Sequence, residues 1–421
     1  MEVLLAHGDL ILCLTVVLGF FMAWGIGAND VANAMATSVG TKSLTVVQAL
    51  IVAAIFEFLG AYLAGGQVTN TIKEGIVDTA SFAGQETLLT FGMISTLFAA
   101  GTWLIVASIL GWPVSTTHSV IGALVGFSIV CVGPHAVHWN QLWGIVGSWI
   151  VTPLISGVLA YALFISVQRS IFRHFHPLKH ALRVAPAYIA LTFLILSIIT
   201  LKSGLKHLGI DISNQASVLI SVGIALVSAI AGKLVINKLN FDATGHKSHY
   251  ANVEKVFGVL MIVTACAMAF AHGSNDVANA IGPLSAVVSS IKTATVDGYD
   301  PNTIEWWILP LGALGIVIGL ATLGYRVMKT VGVKITHLTP SKGFAAQLAT
   351  AGTVVIASGT GLPISTTQTL VGAIIGIGFA HGIAAINLNV IRSIFLSWVI
   401  TLPSGAILAI VFFKLMQGFL L

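Results

Sequence analysis

Gly27-Ala28-Asn29-Asp30-Val31-Ala32-Asn33-Ala34 and Gly273-Ser274-Asn275-Asp276-Val277-Ala278-Asn279-Ala280 are one phrase written twice. Each copy lies inside an apolar run and sets one carboxylate between two asparagines. A carboxylate in hydrocarbon costs several kcal/mol unless it is paired or lines a polar cavity. Asn and Asp also cap helices, but a cap needs one such residue, not a whole phrase repeated. The doubled stretch therefore reads as a site built from two copies.

The rest of the chain supplies the hydrocarbon setting. Hydrophobic residues make up 57% of it, charged residues 8%, and the mean hydropathy is +0.98. A soluble chain carries roughly 25% charge, so this is an all-α polytopic membrane protein. The formal net charge of +5 sits in short loops between apolar runs, which argues against nucleic acid as a partner. Met1-Glu2-Val3 lacks a positive n-region, so no cleavable signal peptide is expected. Cys13, Cys131 and Cys266 follow no metal or redox spacing and are expected to be buried small hydrophobes.

Apolar spans are expected at 10–28, interrupted by the first motif and resuming to Gly40, then at 44–66 with Glu57 mid-span, 87–111 and 140–168. Residues 67–86 read as a polar loop, and a basic loop follows 168. Spans at 184–201 and 215–239 separate the halves. The pattern then repeats at 256–290, around the second motif, and at 306–328, 343–361 and 388–413. Three echoes support a duplication. Asp30 returns as Asp276 at an offset of 246, Pro113 as Pro363 at 250, and Ser148-Trp149 as Ser397-Trp398 at 249. The chain divides into a first repeat (1–168), a basic loop with two linking helices (169–252) and a second repeat (253–421).

Trp112-Pro113-Val114-Ser115-Thr116-Thr117-His118 and Leu362-Pro363-Ile364-Ser365-Thr366-Thr367-Gln368 each join two apolar runs. Read as re-entrant hairpins, with the N-terminus outside, they place 14 of the 19 Lys and Arg on the inner side, as the positive-inside rule requires. The first half then begins outside and the second inside, an inverted repeat of the secondary-transporter kind. Both termini fall outside.

Proline breaks the incoming helix and suits the start of the next. Ser115, Thr116, Thr117, Ser365, Thr366 and Thr367 then offer hydroxyls beside free backbone N–H groups at two helix starts, an anion site. For one hairpin the same hydroxyls would read as caps; two matched hairpins favour the site. Asp30, Asn29, Asn33, Asp276, Asn275 and Asn279 offer hard oxygens, to which a broken helix at the motif would add carbonyls. The set suits sodium, or a proton carried on Asp. Glu57 has no acidic match in the other half and reads equally as a further cation ligand or as an ion-paired or protonated core residue. His118 is matched by Gln368, so it reads as a satisfied core histidine. His135, His138, His174, His176 and His180 read as solvated, and Trp139, Trp143, Trp306 and Trp307 as interface anchors.

On the doubled phrase at 27–34 and 273–280 and the Pro-x-Ser-Thr-Thr segments at 113–117 and 363–367, the chain resembles the inorganic phosphate transporter family of the PiT type. Both halves match. The resemblance implies cation-coupled phosphate uptake, inverted repeats, a transport core with a scaffold, and a homodimer. Its Asn-Asp form resembles the sodium-coupled members. By match, Asn29, Asp30, Asn275 and Asp276 would serve the cations, the six hydroxyls the phosphate, and Glu57 corresponds to a family acid. Gln347 departs where some members carry Glu, which bears on ion stoichiometry. The short linker between halves favours a bacterial protein of the inner membrane, with no cofactor and sodium as coupling ion. Proton-coupled phosphate symport and sulfate transport are the near alternatives. An intramembrane aspartyl hydrolase would need a different acid context, and a channel would not need carboxylates in both halves.

Overall fold

The computed structural model describes residues 2–110, 112, 114–241, 246–324, 339–381 and 388–420. Among these, eight helical stretches are long and apolar enough to cross a membrane. In chain order the helices are α1 (Glu2–Asn29), α2 (Val31–Gly40), α3 (Val46–Ala64), α4 (Gly66–Glu74), α5 (Glu86–Leu110), α6 (Thr116–Cys131), α7 (Trp139–Val167), α8 (Pro177–Lys202), α9 (Asn214–Asn237), α10 (His246–Thr295), α11 (Ile308–Gly319), α12 (Pro340–Gly359), α13 (Thr366–His381) and α14 (Leu388–Leu420). Pro113, Arg326, Lys329, Lys334 and the end of the expected 306–328 span lie outside the described residues, as does the side chain of Asn33.

Both expected hairpins are present. α5 runs in, the chain breaks before Ser115, and α6 runs back. The outer ends meet, because Asp78 N–H donates to Ala136 O at 2.9 Å and His138 N–H to Ile76 O at 3.0 Å. The second hairpin, α12 and α13, turns at Gly361, whose φ of +72° suits glycine. Thr71 Oγ1 donates to the Gly361 carbonyl at 2.6 Å and ties that turn to α4. Non-helical backbone at this depth is tolerable because protein surrounds it.

The two halves grip one another reciprocally. A Cβ at Gly27 of α1 would stand 1.9 Å from Ile316 O of α11, and one at Gly273 of α10 would stand 2.3 Å from Glu57 O of α3. The hairpins do likewise: a Cβ at Gly122 would lie 2.2 Å from Leu402 O, and one at Gly372 2.2 Å from Pro153 O. Helices in lipid associate by close packing at small residues, and only glycine leaves room at these crossings. Each motif helix thus lies against a helix of the opposite half, as does each returning hairpin helix.

Three sequence expectations change. The second motif does not interrupt its helix: α10 runs through it for 50 residues. At the first motif only Asp30 separates α1 from α2, and its N–H still donates to Ile26 O at 2.8 Å. The motif carbonyls stay largely in the helical ladder because the Asn and Asp side chains bond to other helices rather than capping their own. The 67–86 loop contains the amphipathic helix α4, whose Lys73 is buried, donates to Pro301 O and sits 3.2 Å from Glu74. Cys13 is exposed, and Cys131 and Cys266 are half-buried; all three are free thiols on apolar spans. Trp139, Trp143 and Trp306 are exposed, as anchors should be.

Candidate functional site

The two motifs and the two hairpin turns converge. Asp30 and Asp276 are buried, and together with His272 they offer ligand atoms within 4.8 Å of one another. Each acid is met by the hydroxyl of its own hairpin: Thr116 Oγ1 donates to Asp30 Oδ2, and Thr366 Oγ1 to Asp276 Oδ2 at 3.0 Å. Ser115 and Ser365 cap the returning helices, their oxygens accepting from the His118 and Gln368 backbone N–H at 3.3 Å each. The cap uses the hydroxyl as acceptor and leaves its O–H free to donate. Thr117 crosses between halves, donating to Ile364 O at 3.0 Å and accepting from Asn279 Nδ2 at 3.3 Å. All six hydroxyl residues are buried, Thr367 among them.

The leading asparagines act alike in both halves. Asn29 Nδ2 donates to Ser108 Oγ at 2.9 Å, and Asn275 Nδ2 to Ser358 Oγ at 3.1 Å. Asn275 goes further: it also donates to Leu362 O at 3.2 Å, and its Oδ1 accepts from Ile364 N–H at 3.2 Å. Its carboxamide is committed to holding the second hairpin turn. Gln347 sits apart, donating toward Ala34 O (3.0 Å), Thr37 Oγ1 (2.6 Å) and Ser38 Oγ (2.9 Å) while accepting from Thr264 at 2.9 Å.

One functional residue was not singled out from the sequence. His272 is fully buried between two acids. Its Nδ1 is hydrogen-bonded to Glu57 Oε2 at 2.8 Å, and its Nε2 lies 2.8 Å from Asp276 Oδ2, an ion contact rather than an aligned hydrogen bond. The signal was its place four residues before Asp276, which sets both on one helical face. Matching the halves hid it, because Ile26 occupies the equivalent position. Glu57 thus meets the imidazole through Oε2, while its Oε1 stays without a partner and both readings of it remain in place.

Asn29 Oδ1, Asp30 Oδ1, Glu57 Oε1, Asp276 Oδ1 and Asn279 Oδ1 are all buried acceptors without a protein partner. Buried polar atoms are normally satisfied, and a set of acceptors alone calls for cations. Three buried acids share one imidazole, so with all three ionised even a protonated imidazole would leave two negative charges unmatched. An anion entering here needs compensating positive charge.

The sequence profile of the Phosphate transporter family matches residues 26–409. The chain belongs to that family. A *Haemophilus influenzae* protein named provisionally as a phosphate permease is 55% identical over 99% of both chains. The *Arabidopsis thaliana* protein "Inorganic phosphate transporter 2-1, chloroplastic" is 40% identical over 94% of this chain and 71% of its own. A solved structure titled "The sodium-dependent phosphate transporter" superposes with a TM-score of 0.91 at 39% identity, over 97% of this chain and all of that one. This member of the Phosphate transporter family is thus a membrane protein with a transporter fold, whose doubled motifs and hairpin turns meet in one buried polar centre.

Proposed function

We propose that this chain is a secondary transporter, not an enzyme, that takes up inorganic phosphate by symport with sodium. The five unpartnered buried oxygens around Asp30 and Asp276 carry the reading. Sodium binds to Asp30, Asp276, Asn29, Asn33, Asn279 and Glu57, while Asn275 positions the hairpin. Ser115, Thr116, Thr117, Ser365, Thr366 and Thr367 receive the phosphate at the starts of α6 and α13. A P–OH donor suits an acceptor-rich site better than sulfate, which has none at neutral pH. The test is labelled phosphate uptake into proteoliposomes, with sodium and pH gradients imposed separately and sulfate as competitor. Uptake driven by sodium and indifferent to sulfate is expected; uptake indifferent to a sodium gradient would sink the coupling.

His272 favours one second reading, proton-coupled phosphate symport. A neutral imidazole carries one N–H, yet both its nitrogens face carboxylate oxygens at 2.8 Å. Uptake that follows the pH gradient alone would select it.

The orientation belongs to the same proposal: inverted repeats with both termini outside, in a bacterial plasma membrane, working as a homodimer. Cysteines at exposed Gln85 and His135 should label from the external face. Labelling from opposite faces would overturn the inverted arrangement.

A further inference from the structure

Behind the hairpin starts lies a second cavity, of about 770 Å³, walled by α7, α13 and α14. Its walls are apolar, with Tyr161 and Phe379 among them, but its lining also includes His118, Gln368, Trp149 and Trp398. His118 and Gln368 are each 4% exposed. His118 is hydrogen-bonded to the Trp398 backbone, and its ring lies tilted by 35° against Trp149 at 3.8 Å between centroids. His118 Nε2, Gln368 Oε1, Trp149 Nε1 and Trp398 Nε1 are all buried without a partner. The expected satisfied histidine is therefore only half satisfied. The four residues are two matched pairs, His118 with Gln368 and Trp149 with Trp398, one of each pair from either half.

We propose that this cavity is a binding site for a lipid-soluble molecule with a hydrocarbon body and one uncharged hydroxyl-type headgroup. The volume is that of a small-molecule site. Lipid tails alone would leave two indole donors and two acceptors unmet, and an unmet buried polar group is costly. Water alone is unsuited to a cavity with apolar walls, and the lining holds no Asp, Glu, Lys or Arg to meet a charged head. A hydroxyl both donates and accepts, and so suits an unmet indole N–H as well as an unmet acceptor.

The site has a consequence for transport. His118 follows Thr117 and Gln368 follows Thr367, so an occupant bears on the backs of both helix starts. Occupancy is expected to change phosphate uptake; that effect rests on the proposed function, whereas binding does not.

The test uses the full chain in lipid nanodiscs and two probes, a terminally brominated undecanol and the matching brominated undecane. Bromine quenches nearby tryptophan, and Trp149 and Trp398 report from inside the cavity. Saturable quenching by the alcohol is expected, with only linear quenching by the alkane. Trp149→Phe with Trp398→Phe should abolish the saturable part. Gln368→Leu should weaken it about tenfold, one hydrogen bond's worth, with helical circular dichroism and melting confirming that the variant is folded. His118→Phe provides the same readout from the other half. Equal, unsaturable quenching by both probes would show a face merely wetted by lipid and overturn the proposal. Saturable quenching confined to monomers and lost in cross-linked dimers would assign the cavity to a second copy, and would equally overturn it.

Discussion

Asp30 and Asp276 sit in identical phrases, accept from equivalent threonines and lie on helices that cross a partner at equivalent glycines. Their surroundings nevertheless differ. Glu57 O meets Gly273 where Ile316 O meets Gly27, so Glu57 and Ile316 are counterparts across the two crossings. His272 answers to Ile26 in the same way, and both isoleucines are fully buried. Asp276 therefore lies 2.8 Å from an imidazole that a second acid also holds, whereas the two equivalent positions beside Asp30 are isoleucines and Asp30 meets that imidazole only at longer range, within 4.8 Å. The packing and the threonine contacts match between the halves, while the charges around them do not. A symmetrical frame can receive an anion from two sides, whereas unequal acids let the two halves hold cations differently.

The sharpest way to break this comparison is to neutralise each acid in turn. Asp30→Asn and Asp276→Asn keep shape, and both should stay folded, since removing an uncompensated buried charge does not cost stability. Loss of one buried charge partner is worth about 3–5 kcal/mol, so uptake should fall about 100-fold or more in each. The two should differ in sodium response. Asp30 lies farther from the His272 imidazole than Asp276 does, within 4.8 Å against 2.8 Å, and Asp30→Asn should flatten the dependence of phosphate binding on sodium, as reciprocal linkage requires. Asp276→Asn should keep part of it. Thermal stability and phosphate binding with and without sodium measure both. Identical sodium responses in the two variants would remove the asymmetry.

Glu57→Gln tests the divergent pair itself. It keeps the side-chain volume and a hydrogen-bond acceptor for His272 but removes one negative charge. Uptake should fall about 10- to 150-fold, for an ionic hydrogen bond worth about 1.5–3 kcal/mol. Ile316→Val, at the counterpart position, should cost only about 0.5–1.5 kcal/mol of stability and leave transport intact. Equal losses of uptake in the two variants would return Glu57 to a packing role.

Composition and the doubled motif reveal most of this fold in advance, because hydrocarbon forces helices and duplication sets their order. The hairpins were legible too: Pro-Ser-Thr-Thr is at once a break, a cap and a start. What the sequence hid was pairing between halves. Lys73 looked solvated because nothing local shows Pro301 above it. His272 was hidden by a search for matched features, and Ile316 carries no signal at all until its carbonyl is seen against Gly27. The expected break at the second motif failed because Asn-Asp promises a cap locally, while Ser358 and Thr366 draw those side chains elsewhere.

Gln347 extends the comparison to a buried amide that bridges α12 and α2. Its NH₂ group faces three oxygens from Ala34, Thr37 and Ser38, one more than its two hydrogens can serve. Gln347→Glu removes that donor: the Thr37 and Ser38 hydroxyls can turn to donate, but the Ala34 carbonyl is left facing a carboxylate. Without a cation the variant should lose about 1–3 kcal/mol of stability. Added sodium should restore part of it if the oxygens can close around an ion. A melting temperature that is lowered in potassium and raised in sodium is the expected outcome; a wild-type melting temperature in both would show that the amide donates little there.

The smallest effect concerns the hydroxyls that the two halves share. Thr116→Val and Thr366→Val keep side-chain volume and remove one donor each to Asp30 and Asp276. Each donor is worth about 0.5–1.5 kcal/mol, or more against a charge, so each single variant should weaken phosphate binding by about three- to tenfold. The two hydroxyls act on acids that differ in charge balance. Thr366→Val leaves Asp276 its His272 contact, whereas Thr116→Val removes from Asp30 the donor it has among the described side chains, so the second should cost more. The double variant should come close to the product of the two if the hairpins bind phosphate independently, and exceed it if both grip one ion. Unchanged phosphate binding in the double variant would return both threonines to holding the acids in place, and would leave Ser115, Thr117, Ser365 and Thr367 as the anion's donors.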